Sequence, residues 1–397
     1  MDRPESLTPV ETTLPVVRNR TAAILYKWCA CAAIALGSLV VAGMWHLGSN
    51  SMIACGFFGA AFIHFASRPS MKQIVLAVGS GFANAAIYVL LKGPVGTDGF
   101  TRAMGAGAFL GIGSILALAF ERVIDENRDH ARYLSDALVL PGFSLVAGIA
   151  MQIANHGTHL SYDFLLYDFD ASLGIAPGRS VVDLFHRVHW ISAGSNLVYA
   201  GLLLFPTLYH AWALFRHRAK NHNLMHVFVI AGLCGFAFYQ VCPAMGPLYA
   251  FPSKFPDALP ASAPLQALSS DGVNNAMPSM HMTWALSVWW SAWELGPLAV
   301  TIATAVVGFT GLATLGSGEH YLIDLIVAVP LVMGAVGIYR RQRAPAIAGL
   351  LIVAAWTLYL RLGAWSYVPA PIHWMMITAT LIVPAAMMVR ARRSGLQ

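Results

Sequence analysis

Charge is the first thing this chain lacks. Lysine, arginine, aspartate and glutamate together make up 11% of its 397 residues, against roughly 25% in a soluble domain, and a water-facing globular surface cannot be built from so few. Its five cysteines, Cys29, Cys31, Cys55, Cys234 and Cys242, lie in or beside apolar runs and read as small buried hydrophobes, which excludes a disulfide framework. There is no internal repeat of the kind that marks inverted-repeat transporters. The N-terminal helices lack the isolated intramembrane carboxylates or arginines of an ion pathway. No basic face carries interleaved aromatics, so the net charge of +6 does not indicate nucleic acid as a partner. The first apolar run has no convincing small-residue cleavage site and reads as a retained span.

What the chain has is apolar length. Hydrophobic residues make up 57% of the sequence and the mean hydropathy is +0.64. Crossing about 30 Å of hydrocarbon takes roughly 20 residues, and about twelve such stretches can be marked. They are Ala22–Gly43, Met52–Ala66, Ile74–Leu91, Ala103–Phe120, Ala137–Ile153, Ile191–Phe215, Leu224–Val241, Met282–Trp293, Leu298–Leu315, Tyr321–Ile338, Ala346–Leu362 and Ile372–Val389. The fold class is therefore all-α, a polytopic transmembrane helical bundle of about twelve helices. Most cations, among them Arg18, Arg20, Arg68, Lys72, Arg132, Arg216, Arg340 and Arg393, fall in segments on one side. By the positive-inside rule both termini are cytoplasmic in a plasma (inner) membrane, and the loop before His281 and the turn before His320 are extracytoplasmic. Charged links at Glu121–Arg132 and Arg340–Arg343 divide the chain into accessory helices over 1–133, a six-helix core over 134–340, and two closing helices with a basic tail over 341–397.

Two outer segments exceed ordinary turns. Asn155–Trp190 holds the aromatic and acidic run Tyr162–Asp170, which suits an interfacial helix, either a connector or a lid. Ala244–Met280 is rich in proline and ends in Ser269-Ser270-Asp271-Gly272-Val273-Asn274-Asn275 before reaching His281. Loops of that length in compact domains are usually functional.

Pro278-Ser279-Met280-His281 opens one apolar stretch, and 39 residues later His320-Tyr321-Leu322-Ile323-Asp324 opens another. Two helices of about 18 residues at 1.5 Å each cover about 27 Å, so the hairpin returns to the same face and brings the histidines to one depth. Asp324 lies four residues after His320, on the same helical face if both are helical. Such a carboxylate fixes the imidazole tautomer and leaves the other nitrogen as a nucleophile, with His281 as general acid. Ser279 and the amides that open the helix favour an anion. A lone interfacial histidine is usually a packing residue, but this joint arrangement is not a common one. Zinc is the other chemical reading, yet His-x-x-x-Asp plus a remote histidine is a thin ligand set. The pairs His156/His159 and His186/His189 read as interfacial polar residues. His217, His222 and His226 fall on the opposite side, and Glu319 either tunes the site or faces water.

At these residues the chain resembles the type 2 phosphatidic acid phosphatase superfamily, in particular its inositol phosphorylceramide synthase-like branch. The resemblance implies a six-helix core in which His281 is the acid and His320 with Asp324 forms a phosphohistidine without metal or other cofactor. Gln240–Tyr249 is similar to the proline-containing segment of the synthase branch. The phosphatases' first-motif cations are absent, and Thr314 stands where they carry an arginine. A pocket so stripped favours a singly charged phosphodiester over a near-dianionic monoester, unless Arg179, Arg187 or Lys254 restores charge. The expected activity is transfer of a phospho-head group from a phospholipid donor to a lipid alcohol, as in sphingolipid synthesis. Candidate substrate contacts are Ser279, Asn275, Asp271, Tyr249 and Tyr321. Hydrolysis of a lipid phosphate by the same triad, with water as acceptor, is the alternative. A non-enzymatic transporter or anion-binding membrane protein is the second.

Overall fold

The computed structural model describes residues 50–93, 99–124, 128–157, 160–216, 224–257, 268–269 and 273–394. The expected span Ala22–Gly43 and the candidate contact Asp271 lie outside the described residues. Fifteen α-helices account for about four-fifths of the described chain. They are α1 Asn50–Ala66, α2 Met71–Lys92, α3 Gly99–Ile124, α4 Arg128–Gly157, α5 Asp163–Ser172, α6 Pro177–Arg187, α7 His189–Ala200, α8 Leu204–Phe215, α9 Leu224–Val241, α10 Pro247–Ala250, α11 Met280–Ala292, α12 Pro297–Gly316, α13 Leu322–Tyr339, α14 Arg343–Arg361 and α15 Ala370–Ser394. A two-residue antiparallel pairing, Leu160–Ser161 (β1) with Leu268–Ser269 (β2), ties the two long outer segments together.

Among the described residues eight helices are long and apolar enough to cross a membrane, and a ninth span results if α7 and α8 count as one bent by 71°. Those nine correspond to nine of the twelve expected stretches. Of the rest, Met52–Ala66 forms a shorter apolar helix, and Met282–Trp293 becomes the 13-residue α11. The α7–α8 bend has a local cause. Pro206 has no N–H to bond the carbonyl of Leu202, so one continuous helix loses a rung just where the chain turns.

Small residues set the packing of the N-terminal helices. A Cβ on Gly111 would lie 1.7 Å from the Phe57 carbonyl oxygen, and one on Gly113 would lie 1.9 Å from that of Ala77, so α3 meets α1 and α2 backbone to backbone. Further along, α13 is the most enclosed span, with 78% of its apolar window buried. Around it α5, α9, α11, α14 and α15 share one core, in which Phe228 stacks on Trp284 at 4.8 Å and Phe143 meets both rings edge-on.

The run Tyr162–Asp170 departs from expectation. It forms α5, whose Phe164, Leu165, Leu166 and Phe169 are buried, with Phe169 edge-on to Trp356 and Trp365 of the C-terminal segment. An aromatic and acidic helix suits an interface only if its acids reach water. Here Asp163 and Asp170 turn inward to backbone donors, and the helix becomes part of the core.

Candidate active site

The two histidines meet. His281 stands in the first turn of α11, and His320 lies on the turn between α12 and α13, with His281 Nδ1 3.3 Å from His320 Nε2. The N-cap of α11 is Ser279, whose hydroxyl accepts from the Met282 N–H at 3.3 Å. That side chain, expected to face an anion, is fully buried and committed to its own helix.

His320 is not helical, which corrects the expected geometry of its pairing with Asp324. Helix α13 begins at Leu322 behind an N-cap at Tyr321, and Asp324 occupies the third position. From there its carboxylate reaches back to accept the Tyr321 N–H at 3.0 Å, a capping contact. The same oxygen is 3.5 Å from His320 Nδ1, while the Ala276 carbonyl oxygen is nearer, at 3.0 Å. The Nδ1 proton thus goes mainly to a neutral carbonyl with Asp324 behind it, leaving the Nε2 lone pair directed at His281. Burial pushes the His320 pKa down to about 4, against the raising pull of Glu319 and of the Ala276 contact. The ring is therefore neutral at physiological pH, as a nucleophile requires.

Two carboxylates that sequence reasoning assigned no role hold this arrangement together. Asp163 accepts from the N–H groups of Met245 and Gly246 and from the Tyr321 hydroxyl at 2.6 Å. Asp170 accepts from the N–H groups of Leu322 at 2.6 Å and Ile323 at 3.2 Å, satisfying the open end of α13 from a neighbouring helix. Burial raises both carboxyl pKa values, that of Asp170 to about 8, and the backbone donors oppose the rise. Their seven-residue spacing puts them on one face of a helix two turns apart. That signal was present in Tyr162–Asp170.

The proline segment completes the frame. Gly246 has φ +96° and a Cβ there would fall 2.3 Å from the Glu319 carbonyl oxygen, so only glycine fits. Leu248 N–H donates to the Gly318 carbonyl and Ala276 N–H to that of Ala244. Gln240–Tyr249 is thereby clamped against both histidine segments. Tyr199 of α7, also missed, packs on His281 with ring centroids 4.4 Å apart. Its hydroxyl lies 3.4 Å from His281 Nδ1 and donates to the carboxylate of Glu319, so Glu319 engages the site.

Of the expected substrate contacts, Tyr321 is buried and bonded to Asp163 but lines a cleft that also reaches His320. Tyr249 is exposed, and Asn275 is half-buried with its N–H on the Val273 carbonyl. The cleft, partly open to solvent, lies between α5, the start of α6 and the Pro247–Pro256 segment.

Residues 165–338 match the family model of the PAP2 superfamily. The matched segment runs from α5 to the end of α13 and contains both histidines, Asp324, Glu319 and Tyr199. Over that segment the chain is similar to this superfamily. No curated protein and no solved structure matches the chain.

Proposed function

We propose that the protein is a membrane lipid phosphotransferase that moves a phospho-head group from a lipid phosphodiester to a lipid hydroxyl through a phosphohistidine on His320. The observation that carries this reading is the His281–His320 contact at 3.3 Å, with His320 Nδ1 occupied by Ala276 and Asp324 and its Nε2 aimed at a second imidazole. In the first step the Nε2 lone pair forms a bond to phosphorus, the bond from phosphorus to the lipid alcohol oxygen breaks, and His281 gives that oxygen its proton. In the second, His281 takes the proton of the acceptor hydroxyl, whose oxygen displaces Nε2 from phosphorus. Attack distances of about 3 to 3.5 Å on one side and a hydrogen bond of about 3 Å on the other exceed the observed separation, so substrate parts the two rings.

Scarce cations support a singly charged diester and hence the synthase-like branch. The superfamily match equally supports the second reading, hydrolysis of a lipid phosphate by the same residues when water is the acceptor. The positive-inside pattern supports an extracytoplasmic site with cytoplasmic termini. The core over 134–340 would carry the chemistry and the flanking helices would brace it.

The test is purified protein given a phosphorus-labelled phosphodiester lipid, with and without a lipid alcohol. Head-group transfer and an acid-labile, alkali-stable label on the protein are expected, and both disappear in His320→Ala. Release of inorganic phosphate from monoesters alone would favour the phosphatase. A labelled His320→Ala protein would remove His320 as the nucleophile.

A further inference from the structure

Acidic side chains crowd the candidate centre. Asp324 lies behind His320, Glu319 engages Tyr199 beside His281, Asp163 anchors Tyr321, and Asp170 lines the cleft itself. A phosphoryl substrate brings negative charge to that place. Its approach costs desolvation and repulsion unless a cation meets it.

Among the described residues lining the cleft, Arg179 alone carries a fixed positive charge. It stands in the first turn of α6, which Pro177 opens. Its Nη1 donates to Asp257 Oδ1 at 2.8 Å, and the Tyr167 hydroxyl donates to the Asp257 carbonyl oxygen from the facing helix. The guanidinium is thus tethered at the rim. Asp257 uses one of its five N–H donors, and 58% of the side chain remains exposed. Arg187, on the same helix, and Lys254, on the neighbouring segment, are not among the lining residues. Ile175, Phe255, Pro256 and Leu315 give the cleft an apolar wall.

We infer that this cleft anchors the substrate: Arg179 binds the anionic phosphodiester oxygens and the apolar wall holds the adjoining lipid portion. Asp257 is a positioning residue that aims the guanidinium. The inference rests on the reading of His320 as a phosphoryl acceptor. One fixed cation matches one diester charge, and the planar fork of arginine suits two phosphate oxygens at once.

Binding can be measured without turnover. In a His320→Ala background, a fluorescent phosphatidylglycerol and a matched neutral diacylglycerol would be titrated against protein in lipid nanodiscs. Arg179→Ala is expected to weaken phosphatidylglycerol binding about 10- to 100-fold and leave the diacylglycerol unchanged. Arg179→Lys should recover part of the loss, because it restores charge without the fork. Asp257→Asn should weaken binding less than Arg179→Ala, and Arg187→Ala should have no effect. Unchanged phosphatidylglycerol binding in folded Arg179→Ala protein would overturn the proposal, as would an equal loss of both lipids. If wild-type protein transfers no phosphoryl group while Arg179 still selects the anionic lipid, the proposed activity fails and the anchoring site stands.

Discussion

Two histidine–aspartate pairs occupy opposite ends of the core. His210 of α8 and Asp136 of α4 are in direct contact at 2.9 Å, both side chains essentially excluded from solvent. Asp136 lies 21 residues before the end of α4, about 30 Å of helix from the outer segments that frame the candidate site. His320 and Asp324 stand 3.5 Å apart, with the carboxylate already spent on a backbone N–H and a neutral carbonyl taking the ring's proton. The tight pair ties two helices together. The looser pair leaves one ring nitrogen with a lone pair, a second imidazole in front of it and a cleft beside it. Pairing alone therefore does not mark the chemistry; what the free nitrogen faces does.

Truncating one histidine at each end breaks the comparison most sharply. His320→Ala should lose all transfer and all acid-labile phosphoenzyme, whereas His210→Ala should keep the phosphoenzyme in whatever fraction folds. Next in size is His281→Ala, for which loss of the proton donor should lower kcat about 10²- to 10⁴-fold. A diester with a nitrophenol leaving group needs no such proton in the first step, so the burst of nitrophenol that accompanies phosphoenzyme formation should largely recover, while the second step still lacks its base. An equal loss in that burst would show that His281 only positions its partner.

Asp136→Ala tests the structural end. Removing the carboxylate leaves the buried imidazole nitrogen without its partner, which costs about 1 to 3 kcal/mol, so the melting temperature in detergent should fall. Turnover per folded molecule should hold, and a change in kcat for the folded fraction would mean that the two ends are coupled.

The sequence made the hairpin legible because helix rise is fixed, and 39 residues between His281 and His320 leave little choice but a return to one depth. Nine spans were legible for the same reason: length and hydropathy are local. The contact between His320 and Asp324 was read correctly as proximity and wrongly as geometry. A histidine just before an N-cap and a carboxylate at the third helical position look like two helical residues until the helix start is known. Asp163 and Asp170 were misassigned because acids on an aromatic helix suit either a wet interface or buried backbone donors. Their donors, at Met245, Gly246, Leu322 and Ile323, are more than 80 residues away in sequence. Tyr199 was hidden by the α7–α8 bend, which makes one expected span into two helices and turns the first toward His281.

Tyr199 gives the smallest effect and the finest test of the comparison. If the loose pair depends on the groups around it, the hydroxyl that joins His281 to Glu319 should matter to the acid and not to the nucleophile. Tyr199→Phe keeps the ring against His281 and removes only the hydrogen bonds, a change worth about 0.5 to 1.5 kcal/mol, or roughly 2- to 10-fold in kcat. Glu319→Gln should fall in the same range, and the double variant should lose no more than the larger single one, because both act through one hydroxyl. The loss should vanish from the nitrophenol burst of the first step, where His281 has no proton to give. If it persists there, Tyr199 acts on His320 or on substrate binding, and the division of labour between the two imidazoles is not the one drawn from their 3.3 Å contact.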